Sequence, residues 1–181
     1  QAGLESRLAT LKQVQDQVES NAQIHEWLIK HRLDLLPRLW QQVRVEVGWE
    51  TAFEAMLREK LHAVEVSQPG LLQNMLGDAP PAKLSVYASA TATQDPALEG
   101  MRPLTSLLGI HDEAVRGAMQ DWLHGVYAIE NAPGIGARQA LPPGVILVNR
   151  EGHQFSRSSV SFHAPDPGDT GIFVRQREIE D

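Results

Sequence analysis

The chain has 181 residues, 42% hydrophobic and 22% charged, the balance of one ordinary folded domain or two small ones and not of a disordered chain. No apolar run approaches the ~20 residues of a membrane span, and the absence of cysteine removes disulfides, thiolate metal sites and cysteine nucleophiles. A formal net charge of −7 argues against a strongly basic nucleic-acid surface, while leaving room for a local basic patch.

The chain begins with Gln1 and not Met, as expected of a piece of a longer protein, and no secretory signal pattern opens it. Residues 1 to about 20 read as helix: Leu4, Leu8, Leu11 and Val18 keep the rhythm of heptad core positions, with Gln15 as a polar interruption. Helix continues through Ile24, Trp27 and Leu28 until Asp34 to Pro37, because the residue before a proline is pushed out of the helical region. Lys30, His31, Arg32, Arg38 and Arg44 make this the most basic section. The plain reading is a solvated face whose Arg stems cover apolar surface. The functional reading is a phosphate-backbone contact.

Val43, Val45 and Val47 alternate as in a half-buried strand, and Gly48 breaks the run. From Trp49 the period changes, and Ala52, Phe53, Met56, Leu57 and Leu61 fall on one helical face. Ala63, Val64 and Val66 form a second strand. Pro69 opens a short helix to Leu76, and Leu84, Val86 and Tyr87 suggest a third strand. Ser89 to Gly100 is a polar, small-residue connection and the best candidate boundary. The second half repeats the theme: Asp112 caps a helix carrying Val115, Ala118, Met119 and Trp122, and Val126 to Ile129 form a strand. A short helix lies between Pro133 and Leu141, Val145 to Val148 make a buried strand, Glu151 and Gly152 turn the chain, and Ser158 to Phe162 form the last strand. After the turn-rich Gly168 to Gly171, Ile172, Phe173, Val174 and Ile179 lie in a second charged helical run.

Catalytic chemistry is missing. There is no phosphate-cradling Gly-x-x-x-x-Gly-Lys motif, and Gly134-Ile135-Gly136 lacks the third glycine of a dinucleotide fingerprint. The seven histidines make no i, i+4 pair; His25-Glu26 begins a zinc-protease pattern, but Ile29 stands where the second histidine belongs. Ser158, Ser159, His153, His163 and Asp166 are near in sequence but lack a nucleophile elbow. No cofactor or metal is expected.

Three stretches, in order, resemble the hinge domain of bacterial SMC (structural maintenance of chromosomes) proteins. RLWQQVRVEVGWETAFEAMLREKLHAVEV is similar to the hinge segment of strand, turn, aromatic, Ala-rich helix and second strand. PPGVILVNREGHQFSRSSVSF resembles the late hinge segment, and GIFVRQREIED the return into the coiled coil. The resemblance covers nearly the full chain. It implies an α/β (α+β) fold of two small related subdomains of mixed sheet plus helices, with the terminal helices forming an antiparallel coiled-coil stub. The expected divisions are an arm at 1–22, subdomains at 23–92 and 93–168, and a second arm at 169–181.

The resemblance also implies function. Two hinges join as a homodimer by strand pairing, one subdomain against the partner's opposite subdomain. Leu84, Val86 and Tyr87, with Ser158, Val160 and Phe162, are the candidate interface residues. DNA is a further implied partner, in modest, salt-sensitive contact with Lys30, Arg32, Arg38, Arg44 and Arg157. The parent would be a cytoplasmic, nucleoid-associated ATPase of chromosome condensation and segregation, with nucleotide-binding heads outside this chain and accessory condensin subunits. This segment itself would be no enzyme and would have no membrane partner. Family hinges usually carry a glycine-rich motif in the late segment, and here Ser158 to His163 holds no glycine. Either the interface packs differently, with Phe162 filling space, or dimerisation is weakened. The competing reading is an independent α/β enzyme or ligand-binding domain with helical ends.

Overall fold

The computed structural model describes residues 2–88, 98–164, 172–174 and 178, and its account of side chains omits residues 13–21. Helix α1 (Ala2–Lys30) is longer than the heptad pattern alone requires. Leu4, Leu8 and Leu11 are 64–65% exposed, so that seam is uncovered among the described residues; Gln15 and Val18 lie outside the described side chains, as does most of the second terminal helix and hence their pairing. Trp27 and Leu28, near the end of α1, are buried.

Helix α2 (Leu39–Gln42) follows the turn at Pro37 and leads into β1 (Val43–Val45). The expected strand reached Val47, but Val47 is 70% exposed and unpaired as strand, because the chain bends at Gly48, whose φ is +94°. Helix α3 (Glu50–Leu57) buries Ala52, Phe53, Ala55 and Leu57. The apolar period predicted one helix through Leu61, whereas the chain tightens into a 3-10 turn over Arg58–His62, with Arg58 at φ +52°. That tighter turn still buries Leu61 and delivers the chain to β2 (Val64–Val66). Helix α4 (Pro69–Met75) starts on its proline and β3 (Val86–Ala88) follows, parallel to β2 with Val64 opposite Val86.

The expected boundary lies mostly in residues 89–97, outside the described residues. Beyond it are β4 (Arg102–Pro103), a 3-10 turn and β5 (Leu108–Ile110), none of them anticipated. Helix α5 (Glu113–Trp122) is capped as predicted, with Asp112 Oδ1 accepting from the amides of Ala114 at 2.8 Å and Val115 at 3.3 Å. Then come β6 (Val126–Ala128), α6 (Ile135–Gln139), β7 (Ile146–Val148), β8 (Gln154–Phe155) and β9 (Val160–Ser161). The glycines of the Gly134–Gly136 pair sit at the cap and inside α6.

Each half therefore builds a helix followed by a parallel strand pair bridged by a short helix: α3, β2–α4–β3 and α5, β6–α6–β7. The fold is mixed α/β with small sheets. The sheet order in the second half is β4-β6-β7-β8-β9. The halves are tied by β1 and β5, antiparallel with Val43 opposite Ile110 and Val45 opposite Leu108. Around this ribbon lies one core that takes Phe53, Leu57 and Leu61 from the first half and Val115, Met119 and Val148 from the second. Ile172 and Phe173, at the start of the C-terminal run, are rooted in the same core. A satellite core joins Trp27, Leu28 and Leu33 to Val64 and Val66.

Candidate functional site

The five-stranded sheet has two ends, and they differ chemically. At one end β4 holds Pro103, which has no amide N–H, and whose carbonyl accepts from Ser106 Oγ at 2.6 Å. That edge has little left to offer a further strand. At the other end is β9, which pairs only with β8 among the described residues: Phe155 faces Val160 and Gln154 faces Ser161.

The hairpin that carries β9 closes with the Ser156 amide donating to the Ser159 carbonyl at 2.9 Å. Hydrogen-bonded and non-bonded pairs alternate in an antiparallel ladder, so the next pair, Phe155 and Val160, is non-bonded. The N–H and C=O of Val160 consequently point away from β8, toward the open edge. Side chains add further bonds across the hairpin. Ser156 and Ser159 hydroxyls bond to each other, Ser156 Oγ accepts from the Ser159 amide at 3.1 Å, and Arg138 Nη1 donates to the Ser159 carbonyl at 3.2 Å. The Arg138 guanidinium also lies over the Phe155 ring.

Two apolar side chains alternate with serines at this edge and are uncovered. Val160 is 37% exposed and Phe162 82%. The Phe162 ring stands edge-on to His153 at 5.3 Å, and the His163 amide donates to His153 Nδ1 at 3.0 Å, fixing the chain just beyond the strand. Ser158 is exposed in the tight turn before it. The His163 ring lies where a side chain on Gly152 would stand, which that residue's φ of +88° also disfavours.

The other predicted interface strand is placed differently. Leu84 and Val86 are partly buried against the satellite core of Trp27 and Leu28. Tyr87 is buried, with its ring edge-on to Trp122 at 5.5 Å and its hydroxyl accepting from Gln42 Nε2 at 3.4 Å. Burial, reinforced by the charge of Glu65, pushes its phenol up to about 12. Tyr87 faces inward, so only the main chain of β3 is available there to another strand.

The basic residues do not form one free patch. Lys30 Nζ is paired with Asp78 at 2.8 Å. Arg38 is half-buried, donates from Nη1 to the His62 carbonyl at 3.0 Å, and has its pKa lowered by burial. Arg32 is exposed at φ +61° just past α1, Arg44 projects outward from β1 between buried Val43 and Val45, and Arg157 is exposed in the β8–β9 turn. Among the described residues no three His, Asp or Glu side chains gather as a metal site, and no helix is long and apolar enough to cross a membrane.

The family model for the SMC proteins Flexible Hinge Domain matches residues 32–133, more than half of the chain. The chain belongs to the SMC hinge family. This hinge is 45% identical over 179 residues to a chromosome partition protein Smc of Burkholderia pseudomallei, covering 98% of the chain and 15% of that relative. It thus spans 15% of that protein's length. In fold it is similar to the crystal structure of an asymmetric dimer of the Geobacillus stearothermophilus SMC hinge domain, at TM-score 0.63 and 18% identity over 97% of this chain and 77% of that one. It is also similar to the Pyrococcus furiosus Smc hinge domain with an extended coiled coil, at TM-score 0.56 and 12% identity over 97% and 74%. Family membership sets aside the reading of an independent enzyme or ligand-binding domain. Sequence reasoning missed two features of the hinge: the proline-blocked edge at β4 and the Asp78 carboxylate at the end of α1. A proline inside a Met-Arg-Pro-Leu run was the available signal for the first.

Proposed function

We propose that this hinge is the dimerisation module of a chromosome partition protein, and that β9 is the strand through which it dimerises. The observation that carries the reading is the open edge of β9, with Val160 offering outward main-chain groups and Phe162 standing 82% exposed beside it. In the proposed assembly β9 of one protomer adds to β3 of the other, and the reciprocal contact closes a ring. Val160, Phe162 and Ser158 contribute from one side; Leu84, Val86 and the main chain at Tyr87 contribute from the other. Phe162 fills the space that close glycine backbones fill in other hinges. The terminal helices form the antiparallel root of an arm, with the two subdomains lying between residues 23 and 168.

Sedimentation velocity over a wide concentration range tests this. The expected result is a species of twice the 20.0 kDa chain mass that persists on dilution. A strict monomer at the highest concentration overturns it.

DNA contact is the secondary part of the proposal. Arg32, Arg44 and Arg157 are exposed and carry it, and the net charge of −7 makes the binding modest and salt-sensitive. The parent protein is proposed to be a cytoplasmic, nucleoid-associated ATPase working with accessory condensin subunits, its nucleotide chemistry lying outside this segment.

A further inference from the structure

The last turn of α1 closes on a single residue. Asp78, in the loop between α4 and β3, receives Lys30 Nζ at 2.8 Å and His31 Nε2 at 2.9 Å on the same carboxylate oxygen, Oδ2. Its main-chain carbonyl accepts separately from the Trp27 indole at 2.8 Å. Trp27 is buried and its ring lies 4.3 Å from that of His31, which holds the imidazole in place. Hydrogen bonds from Lys30 and His31 keep the Asp78 carboxyl below the usual carboxylate range, so it is ionised and purely an acceptor at neutral pH. His31 therefore presents a proton from Nε2.

One anionic oxygen shared by a lysine ammonium and a ring N–H is how a backbone phosphate oxygen is commonly held. We propose that Asp78 acts as an internal stand-in for a nucleic-acid phosphate, occupying Lys30 and His31 and holding back DNA binding at the root of the arm. The idea rests on the DNA reading above and names the residue that limits it. The contact is exchangeable: Lys30 and Asp78 side chains are 66% and 41% exposed, and ion pairs this open to water are weak. Exchange leaves the loop in place, since the Trp27 bond uses the Asp78 main chain and survives when the carboxylate swings away. Release would add Lys30 and His31 to the neighbouring exposed Arg32, giving three consecutive donors at the end of α1.

Fluorescence anisotropy of a labelled DNA duplex against the whole chain tests this, with wild type, Asp78→Asn and the double variant Asp78→Asn, Lys30→Ala. Asparagine keeps the size and main chain of Asp78 and removes its charge. Asp78→Asn is expected to bind about 3- to 10-fold more tightly at low salt, with the slope of log affinity against log salt steeper by about one, the increment of one phosphate contact. Adding Lys30→Ala is expected to remove that gain. If wild type binds DNA and Asp78→Asn binds no better, Asp78 masks nothing, and the DNA reading stands without it. If the gain persists in the double variant, whose net charge equals that of wild type, it does not pass through Lys30, and the stand-in idea falls. If neither protein binds duplex at low salt, both ideas fall. Melting followed by circular dichroism verifies that each variant is folded, and Asp78→Ala replaces Asp78→Asn if the latter is not.

Discussion

The two edges of the five-stranded sheet are made of the same material and behave oppositely. At β4 a proline supplies no donor and its carbonyl is taken by Ser106 Oγ at 2.6 Å. At β9 the outward donor and acceptor of Val160 are left uncovered, flanked by exposed Phe162. Unprotected edges invite uncontrolled association, so a sheet that closes one edge and leaves an apolar one open restricts association to one place. On the proposed dimer, the openness at β9 is what the partner strand would use.

The sharpest way to break the contrast is to make β9 resemble β4. Val160→Pro removes the outward N–H without touching the β8 ladder, and is expected to weaken the dimer about 10- to 100-fold, one main-chain hydrogen bond lost at each of the two reciprocal contacts. Sedimentation equilibrium reads this directly, and a dimer of unchanged affinity would place the interface elsewhere. Phe162→Ala keeps the main chain and removes the aromatic anchor, with an expected loss of about tenfold in dimer affinity. Its melting temperature as monomer should stay near that of the parent, because the ring is already 82% exposed. The converse change, Pro103→Val, gives β4 a donor it lacks, and light scattering should then show a minor fraction of species larger than the dimer at high concentration.

A gentler probe separates the inward face of β3 from the outward face of β9. Tyr87 has its phenol pushed up to about 12 by burial, from an ordinary value near 10.0. The fold favours the neutral phenol, so its contribution is complete below about pH 10 and is lost as pH rises through about 12. Ultraviolet phenolate absorbance should show this late titration, and the difference between the parent and Tyr87→Phe should isolate the share that belongs to Tyr87. A Tyr87 share that titrates early in the folded protein would mean that its ring faces solvent.

Much of this molecule was legible in its sequence where local chemistry decides. Asp112 as a cap, Pro69 as the first residue of a helix and the apolar run at Val145 to Val148 are short-range signals, and the structure places each as read, whereas α1 ends at Lys30 with Arg32 at φ +61°, ahead of the proline-driven break read at Asp34 to Pro37. What escaped is decided by remote partners. Strands β4 and β5 hold two and three residues, too few for a period, and β5 exists because Val43 to Val45 lies beside it. The face of Tyr87 escaped for a related reason: Val86-Tyr87-Ala88 is apolar throughout, so alternation cannot tell inside from outside. Asp78 carries no local signal, because its three partners are 47 to 51 residues away.

The pairing of β1 with β5 has a consequence for how hinges of this kind diverge. Each half looks like a module, yet Val43 and Val45 lie in register with Ile110 and Leu108, and Phe53 shares a core with Val115 and Met119. A half transplanted from a relative would bring one side of that ribbon and meet a stranger's other side. Exchange of one half alone would therefore disturb both the ribbon and the core, and the unit that keeps them intact is the whole hinge, even though its architecture is written twice.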